Sequence, residues 1–77
     1  MEVRVLFFGV LVDVTGTSLK SYRDVKSVSD LMFRVKDEFP EIVHYNYRIS
    51  VNNHMADNDP ILSDGDEIAL MPPFAGG

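Results

Sequence analysis

The residues best placed to do chemistry are the last six, Pro72-Pro73-Phe74-Ala75-Gly76-Gly77. Two prolines stop the strand that precedes them, and the chain then runs out through small residues to a bare diglycine. A folded domain gains nothing from two terminal glycines, which cost order. With no side chains, Gly76 and Gly77 can thread a narrow channel, and the terminal carboxylate of Gly77 is sterically open to reaction. The working group this indicates is a main-chain carboxylate. It follows an apolar strand and a Pro-Pro stop with no linker, so it sits on a short, semi-stiff stalk close to the body. A frayed terminus without function is the plain alternative.

The side chains offer no competing chemistry. Asp57, Asp59, Asp64, Asp66 and Glu67 invite comparison with a calcium loop, but Pro60 interrupts the run and the glycine at the sixth position is missing. His44 and His54 form no close-spaced pair and have no cysteine companion, which argues against zinc. Serine, histidine and aspartate occur in no nucleophile-elbow context. Gly9, Gly16 and Gly65 are isolated and make no phosphate loop. The expectation is no metal, no bound cofactor and no catalytic side chain.

The elements that must hold the tail follow from periodicity. Val3 to Phe8 reads as a strand, with Val3, Val5 and Phe7 on one face and Leu6 and Phe8 on the other beside Arg4. That second face is partly apolar and calls for a cover or a partner. Gly9 loosens the strand end, and Val10 to Val14 continue apolar in a different phase. Thr15-Gly16-Thr17 is a turn, and Leu19 to Arg23 alternates as a second strand antiparallel to the first. Ser27 and Asp30 make a capping box ahead of a helix. Its stripe is Val28, Leu31, Met32, Val35 and Phe39, with Phe33 off the stripe and Pro40 ending it. No other helix is expected, so this one must cover the sheet.

After an irregular stretch from Glu41 to Asn46, Tyr47 to Val51 is a strand. Asn52 to Asp59 is a tight turn and polar loop, and Pro60-Ile61-Leu62 tucks back into the core. Ser63-Asp64-Gly65-Asp66 turns the chain into a final strand, Glu67 to Met71, with Ile68 and Leu70 inward. One helix across one face of a mixed sheet is a two-layer α+β arrangement. The crossover lets the first and last strands pair in parallel, which puts the tail at the exit of a central strand.

At 77 residues the chain is one domain near the lower limit for an independent core. It has no cysteine, so packing alone holds it together and a thiol can carry none of its chemistry. Glu2 and Arg4 interrupt the first apolar segment, so no signal peptide is read there, and a cytoplasmic setting is expected. The formal net charge is −5, and Arg48 is the last basic residue. The anionic region before the tail argues against nucleic acid or an anionic membrane there and for an electropositive partner.

Val5-Leu6-Phe7-Phe8, Thr15-Gly16-Thr17, Val51-Asn52, Pro60-Ile61-Leu62, Asp64-Gly65-Asp66-Glu67-Ile68-Ala69, Pro72-Pro73 and Gly76-Gly77 together carry a resemblance. The chain resembles the small, sulfur-carrier subunits of molybdopterin synthase, among the ubiquitin-like β-grasp sulfur carriers. The motifs span essentially the whole chain, and the D-G-D-E, P-P and terminal G-G block is specific at this spacing.

The resemblance implies a β-grasp domain over residues 1–73 and a flexible diglycine tail over 74–77. It implies that a ubiquitin-activator-like adenylating enzyme uses ATP to convert the Gly77 carboxylate into an acyl-adenylate. Sulfur transfer then yields a thiocarboxylate. The tail would enter the large catalytic subunit, in a heterotetramer, and give sulfur to cyclic pyranopterin monophosphate. The carrier itself would be non-catalytic. Contact residues would be Met71, Pro72, Pro73, Phe74, Ala75 and Gly76, with Leu6 and Phe8 on the apolar face. Three rivals remain: a thiamine-pathway sulfur carrier, a ubiquitin-like modifier joined to lysines, and an interaction domain with an inert tail.

Overall fold

A computed structural model describes residues 1–73. The elements run β1 (Glu2–Phe7), α1 (Val10–Thr15), β2 (Leu19–Arg23), α2 (Val28–Glu38), a 3₁₀ helix (Pro40–His44), β3 (Arg48–Val51), β4 (His54–Met55) and β5 (Glu67–Met71). The five strands form one mixed sheet in the order β2-β1-β5-β3-β4. β1 pairs antiparallel with β2 and parallel with β5, and β3 is antiparallel to both β5 and β4. The expected parallel pairing of first and last strands is therefore present, with β5 in the middle. The fold is the expected two-layer ubiquitin-like β-grasp.

The core lies between the sheet and α2. Val3, Val5 and Phe7 of β1, and Ile68 and Leu70 of β5, point inward with Tyr22 of β2, and all are buried. They meet Val28, Leu31, Met32 and Val35 from α2. Phe39 is only partly buried, and its ring stands edge-on to Phe7 at 5.9 Å and 78°. Each fully buried Val, Leu, Ile, Phe or Met among these contributes about 1.5–3 kcal/mol by leaving water. Phe33 faces solvent, as its place off the stripe requires.

The cap of α2 differs in one arm from the expected box. The Asp30 amide donates to Ser27 Oγ at 3.3 Å, but the Asp30 carboxylate accepts from the Lys26 amide at 2.9 Å rather than from Ser27. Asp59 completes the cap from the far loop, accepting from the Ser29 amide at 2.8 Å and its hydroxyl at 2.7 Å. Those two bonds hold the Asp59 carboxyl below its ordinary range, the Ser29 hydroxyl contributing most.

Four segments depart from the sequence expectations. Val10–Thr15 is a short helix, although its three valines and threonine are poor helix formers. Tertiary contacts impose it: Leu11 is fully buried, and Thr15 Oγ1 donates to the Leu11 carbonyl at 2.9 Å. Gly16, at φ +76°, ends the helix by donating to the Val12 carbonyl. The stretch after Pro40 is likewise ordered, as a 3₁₀ helix anchored by fully buried Ile42. α2 is thus not alone in covering the core. Asn52 and Asn53 both take positive φ, and the hairpin they form yields β4 where only a loop was expected. Of Pro60-Ile61-Leu62, Leu62 is buried, but Ile61 is 78 % exposed.

At the outer side of β2, the Thr17 hydroxyl donates to the Leu19 carbonyl at 2.9 Å, and Arg34 donates to the Arg23 carbonyl at 3.2 Å. Occupied edge groups of this kind blunt edge-to-edge association.

Candidate functional site

β5 carries the chain to the tail, and its base is tied down at several points. The Asn52 side chain accepts from the Glu67 amide at 3.0 Å and donates to Asp66 at 2.9 Å. Asp66 also accepts from the Ser63 amide at 2.7 Å, and Asp64 from the Glu2 amide at 2.7 Å. Asp59, Asp64 and Asp66, read from sequence as loop and turn residues, are thus anchors for main-chain N–H groups. Gly65, at φ +83°, supplies the left-handed residue of the turn between them.

At the other end, Pro72 leaves β5 and rests on Gly9. A Cβ at Gly9 would lie 2.9 Å from Pro72 Cγ. Gly9 has φ +59° and ψ −136°, which turns the chain out of β1 and into α1. It therefore does more than loosen a strand end: it provides the seat for the first residue after β5. Pro72 is half-buried there and Pro73 is exposed. Phe74, Ala75, Gly76 and Gly77, together with the expected flexible tail over 74–77, lie outside the described residues.

Alternation assigns the residues of the face opposite α2. Leu19, Leu6, Ala69, Ser50 and Met55 form one row across all five strands, each paired with the next. Met71 stands opposite Arg48 in the neighbouring row toward the tail, and the Arg4–Glu67 ion pair, at 3.2 Å, lies on the other side. Leu19, Phe8 and Met55 are each close to half exposed. Among the described residues no helix covers this face. Leu6, Phe8 and Met71, singled out from sequence, do come together here. They line a hollow of about 310 Å³ with Ser50, Asn53, Met55, Glu67 and Ala69.

Ala69, Ser50 and Met55 were not singled out. The alternation of β5 already places Ala69 on the face of Met71, and that of β3 opposes Ser50 to Ile49 and Val51. Met55 left no comparable signal, because a strand of two residues is too short to show a period.

On the flank of the sheet a smaller network joins β2 to α2. The Tyr22 hydroxyl donates to Glu38 at 2.7 Å, and Lys20 reaches the same carboxylate at 2.8 Å. Lys20 first and Tyr22 second hold Glu38 below the ordinary carboxylate range. Burial, and then the bond to Glu38, push the Tyr22 phenol well above its usual value. The network clamps the helix to the sheet and lies away from the hollow.

The comparisons with known proteins agree with this architecture. The profile described as "ThiS family" matches residues 5–77. A protein of Aedes aegypti named molybdopterin synthase sulfur carrier subunit is 33 % identical, with 100 % of this chain and 90 % of that protein covered. A Mycobacterium tuberculosis protein of the same name is 28 % identical, covering 100 % of this chain and 99 % of that one. Among solved structures, a putative molybdopterin converting factor subunit 1 from Pyrococcus furiosus superposes with a TM-score of 0.86 at 22 % identity, over 96 % of this chain and 99 % of that one. A chain in the Helicobacter pylori complex of subunits 1 and 2 of molybdopterin-converting factor is 30 % identical with a TM-score of 0.70, over 100 % of both chains. The profile match takes in the motifs from Val5 to the terminal diglycine, and the chain belongs to the ThiS family.

Proposed function

We propose that this protein is the sulfur-carrier subunit of a molybdopterin synthase and that its reacting group is the Gly77 carboxylate. The observation that carries the reading is a full-length match to sulfur-carrier subunits by a chain whose sequence ends in a diglycine and whose last strand, β5, is central in the sheet. A carboxylate is a poor electrophile. In a ubiquitin-activator-like enzyme its oxygen attacks the α-phosphorus of ATP and pyrophosphate leaves. Hydrosulfide, released from the sulfur donor, then displaces AMP from the acyl-adenylate, and the product is a thiocarboxylate. The carrier holds no cofactor; ATP is consumed by the partner.

The large catalytic subunit docks on the open face around Leu6, Phe8 and Met71. Phe74 acts as an aromatic anchor, and Gly76 and Gly77 lie in the catalytic channel. There the thiocarboxylate gives its sulfur to cyclic pyranopterin monophosphate, in a heterotetramer located in the cytoplasm. The Helicobacter pylori relative, solved as a complex of subunits 1 and 2, supports a large-subunit partner.

Intact mass spectrometry after incubation with the adenylating enzyme, ATP and a sulfur donor tests this reading. Replacement of one oxygen by sulfur at Gly77 is the expected result. An unchanged mass removes the carrier reading, and an isopeptide link to a lysine replaces it with a protein modifier.

A further inference from the structure

The hollow on the open face has a polar floor that the apolar contact does not explain. Ser50 is the one buried polar residue among those described, at 6 % exposure. Its side chain points to the open face, because its neighbours Ile49 and Val51 pair inward with Leu70 and Ile68. No fully enclosed side-chain polar atom among the described residues lacks a partner. The Ser50 oxygen makes no side-chain hydrogen bond among them, so its remaining exposure is toward the hollow it lines. Beside it, Ala69 is too small to fill the space between β1 and β3. Leu6, Phe8, Met55 and Met71 form the walls.

We propose that this hollow is a socket for a tyrosine side chain of a partner protein, its ring held by the walls and its hydroxyl bonded to Ser50. This rests on the open face being the docking face. The chemistry selects tyrosine. Phe8 offers an aromatic neighbour and the two methionines offer sulfur–aromatic contacts, both of which favour a ring over an aliphatic chain. A buried hydroxyl that loses its water on docking needs a partner, and a phenol can both donate and accept. An arginine would look instead to Glu67, but that carboxylate already has Arg4 at 3.2 Å.

The test is an amide-shift NMR titration of the full chain with p-cresol, toluene and propylguanidinium. Saturable p-cresol shifts at Ser50, Ala69 and Leu6 are expected, weakened about fivefold by Ser50→Ala, the loss of one neutral hydrogen bond. Toluene should bind the parent protein more weakly and be unaffected by that substitution. Equal binding of p-cresol and toluene, preference for propylguanidinium, or shifts confined to other surfaces would each overturn the socket. Binding of Phe8→Asp to the large subunit is measured in parallel. If Phe8→Asp abolishes the complex while p-cresol fails to bind, the docking face stands and only the tyrosine socket falls.

Discussion

Gly9 and Pro72 touch so closely that a single added carbon on Gly9 would collide with the proline ring, at 2.9 Å from its Cγ. The chain leaves β1 and β5 side by side, and this contact sets the direction in which Pro72 leaves β5. Two constraints coincide at Gly9: no room for a side chain, and a φ of +59° that L-residues resist. Gly9→Val should therefore cost about 1–3 kcal/mol in denaturant unfolding. It should also slow sulfur loading of Gly77 in the mass assay. Gly16→Ala is the control, since Gly16 has φ +76° but nothing within 4 Å. It should lower stability and leave loading intact; equal loading by both variants would show that the Pro72 seat is irrelevant to the tail.

Phe8 is 45 % exposed at the mouth of the hollow. Phe8→Asp should shift stability by no more than about 0.5 kcal/mol, as surface substitutions usually do. It should reduce large-subunit binding at least about tenfold, the loss typical of a truncated aromatic anchor. Calorimetric titration against the large subunit measures the second effect, and unchanged affinity would remove the open face from the interface.

One residue added beyond Gly77 would replace the reacting carboxylate by an amide. We expect loading to be abolished and the unfolding midpoint to stay where it is, because the core residues all lie within 3–70 among those described. A fully loaded extended variant would sink the terminal-carboxylate chemistry.

Glu38 links Lys20 and Tyr22 across the sheet–helix junction. Its pKa is lower folded than unfolded, so its contribution is complete above the unfolded carboxylate range. That contribution fades as pH drops below about 4.5 and through the folded value. Glu38→Gln should lower stability by about 1 kcal/mol at pH 7, a charge-assisted pair discounted for its partial exposure. The difference between variant and parent should shrink as the pH is lowered from 7 toward 3. A difference that persists undiminished at pH 3 would assign the effect to packing rather than charge.

Leu31 is fully buried at the centre of α2. Leu31→Ala should cost about 2–5 kcal/mol. In a domain this small that removes much of the total stability. Thermal unfolding by circular dichroism reads it directly.

The sequence by itself determined the elements whose periods are long enough to declare themselves. Alternation in β1, β2, β3 and β5 and the five-residue stripe of α2 named most of the core, and Ser27 and Pro40 bracketed the helix. The terminal diglycine and the Pro-Pro stop pointed to the working end. What it could not show were pieces made by long-range contact. α1 exists because Leu11 is buried and Gly9 and Gly16 turn the chain, against the local preference of three valines. The 3₁₀ helix exists because Ile42 fills the core, and β4 because two asparagines at positive φ fold two residues back onto β3. The socket needed tertiary structure most of all. Leu6, Ser50, Met55 and Ala69 come from four strands, and only the register of the sheet sets the small Ala69 and the Ser50 hydroxyl side by side between Leu6 and Met55. Local pattern fixes which way a side chain faces; packing and register decide which side chains meet.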